Sequence, residues 1–451
     1  MSQPIESSQY RQLIQLAIPA ILSQVSHTFV GLADTIMIGK TENVTALAAS
    51  ALANNVLSVP IVFLVGISYA QTPKVSEYFA QGRLDDCRQL LKQSVLNNLL
   101  WTVFICGLLA FLLPYAYALD QEKSVLDLAI PFFGYLIASL PGLALFQSFR
   151  QFYDGLGNTK PGMVVSLLAN VLNVGLNYLL VYGTFGFPEL GLIGAGISNL
   201  ISRWVMGLGM FLFFMMDVKS KHWRTQFFPI RFDREIFKVL NRLGIPISLQ
   251  FLFEVGAFSF TAILVGRMGE ISLAAHQIVI TIASVTYMMA SGLASAASIR
   301  VAHFVGLKDK KMILTTGNNS IILVVLFMTI TATVFMTFKH EIPLLFISKS
   351  EVGLAASGLF LIAALFQISD GIQVVALGCL RGISDVKIPT LITLIAYWVV
   401  AIPLGFFLSL HLNFGLDGTW WGLLVGLTVS GFFMLLRFYF IAQRYKFANP
   451  I

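Results

Sequence analysis

Three acidic residues lie in apolar surroundings: Asp34 in VGLADTIMIG, Glu254 in QFLFEVGAF and Asp370 in FQISDGIQVV. A carboxylate near the centre of a membrane span costs on the order of 3 kcal/mol even on lenient insertion scales. Such groups therefore face a protein interior or a wet cavity. Three of them in one low-dielectric cavity cannot all stay ionised, because burial and mutual repulsion both disfavour the charged form. Such a set holds protons, binds a metal cation or pairs with a cationic substrate. These uses compete for the same oxygens, and competition of this kind is the physical basis of antiport. LANVLNVGLNYLL adds neutral oxygens at Asn170, Asn173 and Asn177, with Asn173 and Asn177 four apart on one helix face. Amide oxygens suit a metal ion better than a proton, although amides also serve as interhelical hydrogen-bond partners.

The elements that position these residues are membrane helices. Of 451 residues, 57% are hydrophobic and only 11% charged, with mean hydropathy +0.81. A soluble domain carries about 25% charged residues, so lipid must cover most of this surface. Apolar windows of about 20 residues predict twelve helices, near 12–38, 45–71, 94–118, 126–148, 163–183, 190–216, 243–266, 273–299, 314–338, 353–379, 388–410 and 418–441. The runs are too long and continuous for barrel strands. With the N-terminus inside, 23 Lys and Arg fall in cytoplasmic segments and five, including Lys349, outside; Arg203 falls within a span. This bias predicts cytoplasmic termini and accounts for the net charge of +7 without nucleic acid.

The longest polar stretch divides the chain into an N-terminal six-helix lobe (1–216), a cytoplasmic linker (217–242) and a C-terminal six-helix lobe (243–451). The halves resemble each other. LAIPA at 16–20 aligns with LGIPI at 243–247, LAA at 47–49 with LAA at 273–275, and Gly66 with Gly292. DGLGNTKP at 154–161 likewise aligns with RGISDVKI at 381–388. Six spans per half is an even number, so the expected fold is all-α, with two repeats related by an axis along the membrane normal. Transporters of this plan place substrate between the halves.

Other residues carry weaker signals. His27 occupies the repeat position of Glu254 and is seven residues before Asp34; proton relay or packing would both suit it. His276 and His303 read as packing or loop residues. Phe251, Phe253 and Phe258 flank Glu254 and offer packing or cation–π contact. Gly418, Gly422 and Gly426 form a small-residue face for helix contact. Cys87, Cys106 and Cys379 show no metal or disulfide spacing. No HExxH, GxSG, GxGD or Walker A motif occurs, which argues against an enzyme and against ATP-driven transport.

The chain resembles the multidrug and toxic compound extrusion (MATE) family, in particular its NorM-like branch. The likeness rests on LADTIMIG, LFEVGAF, AAHQ, IRVAHFVG, ISDGIQVVALGCLRGISD and YWVVAIPLG. It implies export of small organic, mostly cationic drugs in exchange for Na⁺ or H⁺. The expected coupling-cation residues are Glu254 and Asp370, as Na⁺ ligands, with Asn173 and Asn177. Asp34 is expected in protonation or substrate binding. No cofactor is implied, and a monomer in the inner cell membrane is expected. Arg203 matches no family motif. The rival is a flippase for lipid-linked precursors, which would carry several intramembrane bases facing phosphates. Here one base stands against three acids.

Overall fold

A computed structural model describes residues 3–119, 121–347 and 350–445; Lys349 and Lys446, both used in the charge count, lie outside them. Among the described residues there is no strand. Among the described residues, twelve helices are long and apolar enough to cross a membrane: Gln9–Gly39, Val44–Ala80, Leu84–Tyr117, Lys123–Gly155, Lys160–Tyr182, Gly191–Met216, Arg234–Gly266, Glu270–Gly306, Lys310–Thr337, Glu351–Gly382, Lys387–His411 and Gly415–Arg444. Every predicted span is found. Several run further than hydropathy suggests, because their polar ends are satisfied internally. The fourth continues past residue 148 to Gly155: Ser148 accepts from Asn98 (2.8 Å), Gln151 accepts from Thr72 (2.5 Å), and Arg150 pairs with Asp154 (3.7 Å).

The placement of apolar and polar side chains is that of a lipid-solvated protein. On the fifth span Leu168 and Val171 are 66% and 73% exposed, whereas Asn173 and Asn177 are 2% and 0% exposed. Water would penalise that arrangement on both counts; hydrocarbon favours it.

Two compact units emerge, Leu22–Ser248 and Met1–Ile21 with Leu249–Ile451. In the first, the fourth span is the central helix, packed on the second, third and sixth. In the other, the tenth is central, packed on the eighth, ninth and twelfth. The polar stretch after the sixth span is docked onto the first of these units. Tyr153 donates to Asp217 (3.2 Å) and lies 2.6 Å from the Ser220 hydroxyl, and the Gln93 amide spans Arg231 O (2.5 Å) and Asp233 N (3.1 Å). Asp233 in turn caps the seventh span, accepting from Glu235 N and Ile236 N.

The first and seventh spans are each divided between the units, two residues after Pro19 and two after Pro246. A proline inside a helix removes one backbone hydrogen bond and favours a change of direction. Beyond each proline the chain passes a glycine. A Cβ on Gly66 would sit 2.5 Å from Ser248 Cα; one on Gly292 would sit 2.8–2.9 Å from the backbone of Ile21. Ile21 and Ser248 are themselves repeat equivalents, so both halves use one device. The DGLG and RGIS turns show a second one: Gly155 closes on Thr72 and Val75, and Gly382 closes on Ser298 and Val301.

The eleventh span departs from a plain α-helix. It widens to π geometry at Ile395–Ala401 and Phe407–His411. Pro403, between them, cannot donate to the Val399 carbonyl, so a regular α ladder is not available there. The face of Gly418, Gly422 and Gly426 packs on this helix, meeting Ser409, Gly405 and Ala396, which is the helix contact read from the sequence.

Gly292→Ala should therefore destabilise the protein by about 1–3 kcal/mol through overpacking, seen as a lowered melting temperature in detergent. Gly134→Ala, where a Cβ meets nothing within 4 Å, should leave it unchanged or slightly raised.

Candidate functional site

The polar residues gather into two clusters, one in each unit. In Leu22–Ser248 the centre is Asp34. One carboxylate oxygen accepts from Asn177 Nδ2 at 2.5 Å, the other from Asn199 Nδ2 at 3.0 Å. Asn177 also donates to Asn173 Oδ1 at 3.2 Å. The Arg203 guanidinium lies close enough to act electrostatically on Asp34 and donates to Ser139 Oγ at 2.9 Å. Arg203 is thus an interior residue with an acidic neighbour.

Helix spacing builds this cluster. The first and fifth spans run side by side, and their polar residues pair at a constant register. Ser23 lies 2.9 Å from Ser166, Ser26 accepts from Asn170, Asp34 accepts from Asn177, and the Met37 carbonyl accepts from Tyr182 (2.8 Å). His27 lies on the same helix, edge-on to Phe146 at 6.4 Å and close to Arg150 and Arg203. The structure thus groups Asn173 and Asn177 with Asp34 in one unit, while Glu254 and Asp370 belong to the other.

That second cluster lies on the seventh, eighth, tenth and eleventh spans. Glu254 and Asp370 are 5% and 2% exposed and close enough to repel each other. Glu254 accepts a hydrogen bond from Tyr287 and feels the charge of Arg381. Arg381 is held by Gln250 Oε1 (3.2 Å), one turn before Glu254, and by the Phe251 ring (4.6 Å). Gln250 continues to Thr393 (3.1 Å). Tyr397 pairs with the Gln373 amide (3.0 Å), both fully buried. Trp398 donates to the Phe253 carbonyl at 3.0 Å. Of the flanking phenylalanines, Phe251 makes the cation–π contact, and Phe258 packs on Phe366 and Tyr397. His276 packs edge-on against Trp420. Among the described residues no three His, Cys, Asp or Glu side chains group closely enough to hold a metal ion.

Residue types and spacing alone do not single out Tyr287, Gln250, Gln373, Tyr397 or Arg381. Asn199 does carry a signal: it lies four residues before Arg203, on the same helix face. Arg381 counts as cytoplasmic by its place in the sequence, but it is only 8% exposed.

The MatE family model matches residues 19–179 and again residues 246–407. The start of the second match follows the first at the offset that relates the two halves of the sequence. The chain belongs to the MatE family. It is a multi-pass membrane transporter and not an enzyme. It is 32% identical over 436 residues to Multidrug resistance protein NorM of Photobacterium profundum, covering 95% of this chain and 94% of that protein. The fold matches a mutant of the Vibrio cholerae MATE transporter VcmN at TM-score 0.90, with 19% identity and 99% of each chain covered. It matches the eukaryotic MATE transporter AtDTX14 at 0.87, with 19% identity over 97% of this chain and 98% of that one.

Tyr397→Phe would leave the buried Gln373 amide without the hydroxyl it pairs with. The expected cost is about 1–3 kcal/mol, read as a drop in melting temperature, with Phe258→Leu as a packing comparison.

Proposed function

We propose that this transporter exports small organic, mostly cationic compounds in exchange for inward Na⁺ or H⁺ by alternating access. The printed name of the NorM relative, a multidrug resistance protein, supports the cargo class. The observation that carries the coupling is a charge imbalance. Two buried carboxylates, Glu254 and Asp370, lie close enough to repel each other, and the charge of Arg381 acts on Glu254, so the cluster holds two acids against one base. A proton or a metal cation supplies the missing positive charge, and a cationic cargo competes for it. Inward movement of a unit charge is driven by about 2.3 kcal/mol per 100 mV, enough to expel cargo uphill.

Asp34 takes part in protonation or substrate binding in the other unit. Asn173 and Asn177 offer neutral oxygens beside it, and Asn177 Oδ1 is buried without a protein partner. A metal cation reaching Asp34 would meet both kinds of ligand, so the two asparagines serve the coupling ion there. The flippase reading loses ground. Arg150 pairs with Asp154, Arg203 faces Asp34 and Arg381 faces Glu254, so these three bases are engaged by acids of this chain. One chain carries both clusters, which makes the monomer the proposed working unit, in the inner membrane with cytoplasmic termini.

In proteoliposomes loaded with a fluorescent organic cation, either a Na⁺ gradient at fixed pH or a pH gradient without Na⁺ should drive efflux. Glu254→Gln should express normally and lose coupled efflux by at least tenfold. Normal efflux in that variant would sink the assignment.

A further inference from the structure

Arg203 stands beside Asp34, yet the transport cycle gives it no role. The sixth span brings it there. Asn199 donates to Asp34 at 3.0 Å, and Arg203 follows one turn later, about 6 Å along the axis. The first and sixth spans run in opposite directions, so Arg203 lies on the His27 side of Asp34, and its charge acts on both. Its position is fixed from two sides. A Cβ on Gly142 would sit 2.7 Å from the Arg203 carbonyl oxygen, so the backbones of the fourth and sixth spans touch there. Ser139, fully buried, gives its own hydrogen to the Leu136 carbonyl (2.6 Å) and accepts one from the guanidinium (2.9 Å).

Arg203 and Asp34 balance each other without touching. They form no ion pair: the Asp34 oxygens accept from Asn177 and Asn199, and the Arg203 guanidinium donates to Ser139 alone. Asp34, Asn199 and Arg203 are each half-buried. Charged groups at membrane depth turn their accessible side to water and not to lipid. The neighbouring charges cancel, because Arg150 pairs with Asp154 at 3.7 Å. His27, the other titratable group, lies edge-on to Phe146 near both arginines. Asp34 is therefore a wet carboxylate whose single negative charge is already matched by a tethered cation. When a proton, a metal ion or an organic cation takes that carboxylate, the guanidinium is left uncompensated beside it. A second cation then meets repulsion that the low-dielectric surroundings screen poorly.

We infer, on the cargo and coupling proposed above, that Arg203 enforces single occupancy of Asp34, so that coupling ion and cationic cargo exclude each other there by charge and not by space. Arg203 then determines specificity without binding cargo. It lowers the affinity of Asp34 for every cation and prevents two from being held together.

The test is a double-mutant cycle on the full-length protein in detergent, read by equilibrium binding of ethidium. Asp34→Asn stands for the occupied carboxylate and should weaken binding at least tenfold. Arg203→Gln should strengthen it at least threefold. In the double variant the affinity should return to within threefold of wild type, since carboxylate and guanidinium leave together. Arg203→Lys combined with Asp34→Asn keeps the charge and should bind as weakly as Asp34→Asn alone; a role in packing would make Lys and Gln behave alike. Melting temperatures check folding, and Arg203→Met replaces Arg203→Gln if that variant does not fold. Failure of the wild type to bind ethidium would overturn the cargo proposal and this inference with it. Three results in a wild type that does bind would overturn the inference alone: unchanged binding in Asp34→Asn, no recovery in the double variant, or equal recovery with Lys and Gln.

Discussion

The architecture depends on two close approaches of backbone to backbone, Gly66 against Ser248 and Gly292 against Ile21. A side chain at either glycine would hold apart helices that need contact. Helix association in lipid gains little from hydrophobic burial and relies on such close packing. The prolines just before these contacts release one hydrogen bond from each ladder and let the first and seventh spans turn from one packing environment into another. Because this device occurs twice at the same repeat positions, duplication preserved the packing constraint along with the sequence.

Around that frame, the two units solve the problem of a buried carboxylate differently. Asp34 receives two amide N–H donors and a nearby guanidinium. Glu254 receives a phenol and a guanidinium, while Asp370 meets the repulsion of Glu254. The first arrangement is close to balanced, and the second is left short of positive charge. The repeat therefore fixes the helices but not the chemistry: His27 and Glu254 occupy equivalent positions and differ in type, as do Asp154 and Arg381.

Much of this was legible in the sequence. Hydropathy found every span, the LAIPA and LGIPI pair revealed the duplication, and the rarity of acids in apolar runs exposed Asp34, Glu254 and Asp370. What escaped notice did so for identifiable reasons. Arg150, Asp154 and Arg381 lie at polar helix ends, where a hydropathy window closes although the helix continues and its side chains are satisfied internally. Gln373 and Tyr397 are ordinary residue types until a register between helices brings them together. The π turns of the eleventh span depend on where Pro403 falls relative to carbonyls four residues earlier, a detail that an apolar run conceals. The grouping of Asn173 and Asn177 with Asp34 likewise needed the side-by-side register of the first and fifth spans.

The shared first span also has a consequence during synthesis. Ile21 emerges from the ribosome early, yet the glycine it packs against, Gly292, lies about 270 residues later. At roughly 5–20 residues per second, the opening turns of this helix wait on the order of tens of seconds for their neighbour. During that interval the nascent chain must be held in lipid with a face of its first helix uncovered. The order of translation, and not only the final contacts, thus sets when the second unit can close.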